Sequence, residues 1–211
     1  MSGDAAGAVD PSFQRAIDTL APPGLLIGYR AISPGDEFTL LPEEVAAMAA
    51  AAIDRRRASG AARQVARALM TRLGHAQIPI PKSASGAPVW PAGLTGSMAH
   101  DDRIAVAAVG LRRDFAAVGI DVEPAVPLPA DVLELIATPQ ELRAINDPLD
   151  GKLLFAAKEA VYKAVHPLDG VFLEFHDIEV DLAGSRATTR TGRVLALRSC
   201  AEAHVVVMAL G

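Results

Sequence analysis

Asp121 and Glu123 are two carboxylates separated by a single residue. They lie in Val118-Gly119-Ile120-Asp121-Val122-Glu123-Pro124, where apolar residues alternate with Gly119 and the two acids. A period of two predicts a strand that carries both acids on one face. Pro124 stops the strand, so the acids stand at its carboxyl end. Carboxylates that close repel unless a proton or a cation lies between them. Their oxygens are hard ligands and suit Mg²⁺ or Mn²⁺ better than Zn²⁺. Downstream, Phe155-Ala-Ala-Lys158-Glu159-Ala-Val-Tyr-Lys163 adds a third acid and two cations. Together the two segments suggest chemistry on a phosphate-bearing group with Mg²⁺.

Lys152 to Val165 reads as a helix with Leu154, Ala157, Val161, Ala164 and Val165 as its apolar stripe. Glu159 and Lys163 lie four residues apart on the other side. Taken alone, that is an exposed ion pair worth a few tenths of a kcal/mol. Beside Asp121 and Glu123, however, Glu159 becomes a third metal ligand, and Lys158 and Lys163 would meet phosphate oxygens. The segment Trp90-Pro91…Gly96-Ser97-Met98-Ala99-His100 has no Gly-x-Ser-x-Gly elbow, which argues against a nucleophilic serine. No Walker loop is present, and the five histidines lack the spacing of a zinc site. His100 by itself reads as a core histidine.

The elements that must position these residues follow from pattern. Leu25 to Ile32 reads as a first strand. Pro42 opens an Ala-rich helical stretch to about Leu73, broken near Ser59-Gly60 and capped by Gly74. It holds Arg55, Arg56, Arg57, Arg63, Arg67 and Arg72, either a solvated face or an anion site. Ile78 to Pro91 reads as a loop, Ile104 to Leu111 as a buried strand, and Arg112-Arg113-Asp114 as a turn. Thr138-Pro139-Gln140-Glu141 carries a capping box. His166-Pro167 ends the Lys152 helix. Strands follow at 177–182, 194–198 and 204–210, with a turn region before Gly192. The fold class is therefore α+β, with two similar lobes, 1–113 and 114–211, and the site in the cleft between them.

The 211 residues are 51% apolar but only 4% aromatic, so the core is built mostly from Ala, Val, Leu and Ile. The net charge of −5 argues against nucleic acid as a partner. No stretch is long and apolar enough to span a bilayer, and Met1 to Phe13 does not read as a secretory signal. Cys200 is the one cysteine, which fits a reducing, cytoplasmic location.

The ordered set Arg55…Arg63, Lys82, Trp90-Pro91…Gly96-Ser97-x-x-His100, Val118-Gly-Ile-Asp121-Val-Glu123 and Phe155-x-x-Lys158-Glu159-x-x-x-Lys163 resembles the 4′-phosphopantetheinyl transferases of the larger, Sfp/EntD-like class. The resemblance covers Arg55 to Lys163. It implies coenzyme A as donor and the serine of an apo acyl or peptidyl carrier protein as acceptor; two lobes in one chain, which build the cleft without a second subunit, fit a monomer. It assigns Asp121, Glu123 and Glu159 to Mg²⁺, with Glu159 also as general base and Lys163 as a phosphate-binding lysine. Arg55, Arg63, Lys82, Ser97 and His100 match positions around the adenosine 3′-phosphate, with Arg56 and Arg57 alternatives to Arg55. Ala99 departs from the commoner Ser-x-Ser-His form, and Val122 stands where some relatives have a polar residue, which leaves one metal position to water. Two rival readings are a Mg²⁺-dependent phosphohydrolase acting on nucleotides and a non-catalytic binder of coenzyme A or a carrier.

Overall fold

The computed structural model describes residues 10–76 and 78–211, so the reading of the N-terminal segment falls mostly outside it. The fold is α+β, and the chain divides into two compact units, Met1–Asp114 and Phe115–Gly211.

The first unit comprises α1 (Pro11–Asp18), β1 (Leu26–Ala31), a 3₁₀ turn at Asp36–Phe38, α2 (Pro42–Ala46), α3 (Ile53–Arg72), β2 (Leu94–His100) and β3 (Ile104–Leu111). Its sheet has the order β1-β3-β2 and is antiparallel throughout. Val65, Ala66, Leu69 and Met70 of α3 pack on Leu94, Ala107 and Val109 of the sheet and on Ile80. The Ala-rich stretch is two helices, but its break falls at 47–52 and not near Ser59-Gly60. Gly60 serves close packing instead: a Cβ there would lie 1.9 Å from the Asp36 carbonyl oxygen. At the end of α3, Gly74 adopts φ +86°, and the His75 N–H reaches the Met70 oxygen at 2.9 Å. β2 is a strand that the apolar pattern hides. Its Gly96 leaves room for the Trp90 ring, which a Cβ would meet at 2.9 Å.

The second unit runs β4 (Val118–Pro124), α4 (Ala130–Ile136), α5 (Pro139–Ala144), α6 (Asp150–Asp169), β5 (Ile178–Asp181), β6 (Arg186–Thr189), β7 (Val194–Ala201) and β8 (His204–Leu210). The sheet order is β4-β8-β7-β6-β5, again antiparallel. α6 packs on it through Leu154, Ala157, Val161 and Val165 against Val205, Val207 and Ala209. At Gly119 the helix backbone rests on the strand, since a Cβ would come within 1.8 Å of the Ala160 oxygen. The capping box forms: Thr138 Oγ1 accepts the Glu141 N–H at 3.2 Å, and Glu141 Oε2 accepts the Thr138 N–H at 2.8 Å. α6 does not stop at His166-Pro167. It continues to Asp169 and closes on Gly170, whose φ is +64° and whose N–H reaches the His166 oxygen at 2.9 Å. Pro167 forfeits a helical bond, and that cap offsets the loss. β6 occupies part of the region read as a turn, paired on both sides.

Both units wind alike. A first strand leads to a 20-residue helix, and the last strand returns to pair antiparallel with the first. The second unit adds a further hairpin.

Candidate active site

In β4, Asp121 is paired with Val207 and Glu123 with Val205, so both acids share the face that α6 covers. Lys163 Nζ lies 2.6 Å from Asp121 Oδ1, and Lys152 Nζ lies 3.2 Å from Glu123 Oε2. Lys152, Glu159 and Lys163 are spaced by seven and four residues, which puts them on one stripe of α6. The surface pairing of Glu159 with Lys163 that the helix taken alone suggests gives way, because Lys163 turns to the strand. Asp121 is buried, and its Oδ2 has no hydrogen-bond partner. Burial raises its pKa above the ordinary carboxylate value; Lys163 opposes that shift and the charge of Glu159 adds to it. Glu123 is raised too, by burial and by Asp121, against the pull of Lys152. Asp121 thus lies within electrostatic reach of both Glu123 and Glu159.

Among the described residues, no three acids, histidines or cysteines close around one point as a ready metal cage. Mg²⁺ rarely needs one, since it is usually held by one or two carboxylates, waters and substrate phosphates. The orphaned Asp121 Oδ2 is a buried, hard oxygen with a lone pair to give, and Glu123 stands beside it. These residues fit such an ion.

Glu159 borders a cavity of about 130 Å³ lined also by Lys158, Tyr162, Phe172, Leu173, Glu174, Phe175 and Ile178. Glu159 is partly exposed there. The Tyr162 hydroxyl has a raised pKa, first from burial and then from the Glu159 charge. Lys158 departs from its expected part as a phosphate contact. Its side chain is fully buried, and its ammonium donates to Glu141 Oε2 at 2.8 Å, the Phe175 oxygen at 2.9 Å and the Ile136 oxygen at 3.0 Å. An ammonium has three hydrogens, and all are spent on protein acceptors.

In the first unit, the Lys82 pKa is lowered by burial and then by the like charges of Arg63 and Arg55. Both arginines thus lie close to Lys82, and among the described residues neither Lys82 nor Arg55 has a carboxylate partner. Arg63 is buried; its Nε donates to the Ile80 oxygen at 2.9 Å, and its Nη1 donates to Ser59 Oγ. Glu44 lies 3.7 Å from that Nε and pairs with Arg67 at 2.9 Å. Arg57 is taken by Glu37, with Nε to Oε2 at 2.9 Å, which removes it as an alternative to Arg55. The basic stretch is thus neither a plain solvated face nor wholly an anion site: Arg57, Arg63 and Arg67 are internal partners of the fold. Ser97 and His100 project from opposite faces of β2, because an offset of three reverses the side. Ser97 is buried, and His100 is exposed with Nδ1 3.3 Å from the Asp101 oxygen. Sequence reasoning missed Lys152, Glu141 and the cavity. The spacing of seven between Lys152 and Glu159 was the one signal for the first. Nothing local marks a capping glutamate as a lysine's partner.

The family model described as 4′-phosphopantetheinyl transferase N-terminal domain matches residues 43–110, and that of the 4′-phosphopantetheinyl transferase superfamily matches 117–207. The 4′-phosphopantetheinyl transferase Svp of Streptomyces mobaraensis is 39% identical over 171 residues, 77% of this chain and 69% of the relative. Npt of Nocardia iowensis is 36% identical over 78% of this chain and 75% of its own. PptT of Mycobacterium tuberculosis is 37% identical over 74% and 70% respectively. Both bear the same enzyme name.

Proposed function

Because this chain belongs to the 4′-phosphopantetheinyl transferase superfamily, we propose that it moves the phosphopantetheine of coenzyme A onto a serine of an apo acyl or peptidyl carrier protein with Mg²⁺. The observation that carries the reading is the Asp121 carboxylate. One oxygen is held by Lys163 at 2.6 Å, and the other is buried with no partner. A buried oxygen left unpaired costs stability, and it is tolerated where a ligand completes it.

Asp121 and Glu123 would hold Mg²⁺, with Glu159 as the third acid. The ion would neutralise charge on the coenzyme A pyrophosphate. Glu159, at the cavity rim, takes the proton of the carrier serine. The serine oxygen then bonds to the β-phosphorus, the bond from that phosphorus to the bridging oxygen breaks, and adenosine 3′,5′-bisphosphate leaves with the electron pair. Lys163, beside Asp121, would stabilise the charge of those oxygens, since positioning and electrostatics dominate transfers of this kind. Arg55 and Lys82 supply positive charge for the 3′-phosphate, with the buried Arg63 behind them and the exposed His100 as a further candidate; Ser97, buried on the opposite face of β2, is not part of that group. The aromatic walls of the cavity suit the pantetheine arm. In this reading residues 1–113 bind the 3′-phosphate and residues 114–211 carry the metal ligands and the base.

The test is to incubate the protein with an apo carrier, coenzyme A and Mg²⁺ and to weigh the carrier intact. A phosphopantetheine mass gain is expected, and it should disappear with chelator. No gain on several carriers sinks the proposal, and free phosphate released without a carrier would favour a hydrolase. Glu159→Gln should fold normally and lose transfer by about 100-fold or more; full activity would remove Glu159 as the base.

A further inference from the structure

Lys158 stands one residue before Glu159 and turns the other way. Its ammonium joins the last turn of α4 at the Ile136 oxygen, α5 at Glu141, and the segment after α6 at the Phe175 oxygen. Glu141 extends the junction. Its Oε2 also accepts the Thr138 N–H at 2.8 Å, and its Oε1 accepts the Val180 N–H of β5 at 2.8 Å. One buried ion pair therefore ties four elements and the 170–177 segment together. Two of the bodies it ties form the cavity beside Glu159: α6 supplies Glu159 and Tyr162, and the 170–177 segment supplies Phe172, Leu173 and Phe175.

Stability alone does not account for such a pair. Well-packed apolar side chains of similar volume often serve a core as well or better. What an ammonium adds is direction, because it fixes three acceptors at set distances. We propose that Lys158 is a positioning residue: without touching substrate, it sets the separation between Glu159 and the Phe172–Phe175 wall. The proposal rests on the transferase reading, in which Glu159 takes the serine proton.

The test compares wild type, Lys158→Met/Glu141→Gln and Glu141→Gln alone. The double variant removes both charges together and leaves no uncompensated buried ion. The single variant leaves the Lys158 ammonium on three neutral acceptors and so costs more stability than the double one; Lys158→Arg, which keeps the charge but not the three-way geometry, serves if the double variant fails to fold. Circular dichroism and a cooperative melt establish folding. Carrier loading should show kcat lower by about tenfold or more in the double variant and less in the single one, with the KM for coenzyme A within about threefold. Amide hydrogen exchange should accelerate over 171–177 in both variants. A KM for coenzyme A raised about tenfold with kcat kept would make Lys158 a substrate contact and overturn the proposal. Unchanged kcat and KM would overturn it too, leaving the pair a purely structural one. If wild type itself loads no carrier, the transferase reading fails. The exchange experiment still decides whether the pair holds the wall, since unchanged protection over 171–177 refutes that.

Discussion

The Arg57 guanidinium holds the Glu37 carboxyl at about 2, down from an ordinary 4.5, with the Gly35 N–H also donating to it. A carboxyl with a depressed folded-state pKa binds fewer protons folded than unfolded in that window. Its stabilising contribution is present above pH 4.5 and is lost as pH falls toward about 2. Glu37→Gln should therefore be less stable than wild type at neutral pH, and the gap should close across that window. Urea melts at several pH values would show it, and a gap independent of pH would refute it. Glu37 carried no signal in the sequence, since an acid twenty residues before an arginine has no periodic relation to it. Asp121 and Glu123 did, because alternation in a strand is local and fixes the face. Lys158 was misread for the same reason that Glu37 was overlooked. A helix pattern says which residues share a stripe, but not which distant carbonyls await them.

At the scale of elements, backbone contact decides more than propensity does. Alanine favours a helix over glycine by about 1 kcal/mol. At Gly60, however, the added Cβ would meet a backbone oxygen at 1.9 Å, and backbone cannot swing aside as a side-chain tip can. Overpacking of this kind costs about 1–3 kcal/mol or more, so Gly60→Ala should lower stability by about 2 kcal/mol net in urea melts. Gly119→Ala, at 1.8 Å from the Ala160 oxygen, should cost at least as much and also shift the acids against α6. A stabilised Gly60→Ala would show that α3 and the Asp36 turn are free to part. These contacts explain where pattern reading succeeded and failed. β1, β3, β4 and β8 were legible because they are apolar runs or alternations. β2 was not, because Gly96 is small to admit Trp90 and breaks the pattern. The α3 break was misplaced because a glycine kept for closeness looks like a glycine kept for flexibility.

For the whole molecule, the net charge of −5 makes Arg55 and Lys82, backed by the buried Arg63, an island of positive charge in an acidic protein. Arg55 is exposed and, among the described residues, serves no internal partner. Arg55→Ala should then raise the KM for coenzyme A by about tenfold while leaving kcat within about twofold, with the difference shrinking at high salt. An unchanged KM would move the 3′-phosphate away from this group. The α+β class and the repeated order of elements were legible from the sequence. The shared winding of the two units was not, because strand order depends on pairings between distant segments.

The two acids of β4 already have company: Lys163 against Asp121 and Lys152 against Glu123. With Glu159 beside them, three acids face two lysines, so the resting centre holds a small negative excess. A divalent ion arriving alone could take the open Asp121 Oδ2 but would overshoot that excess and leave positive charge uncompensated beside the lysines. A pyrophosphate arriving alone would leave the carboxylates exposed to its own charge. Arriving together, each cancels what the other would strand: the ion takes the carboxylates and the phosphates take the lysines. The protein should therefore behave as an ion exchanger that accepts only matched pairs. Thermal shifts should be small with Mg²⁺ alone, modest with coenzyme A alone, and greater than the sum with both. Strictly additive shifts would show that the lysines do not stand in for the cation.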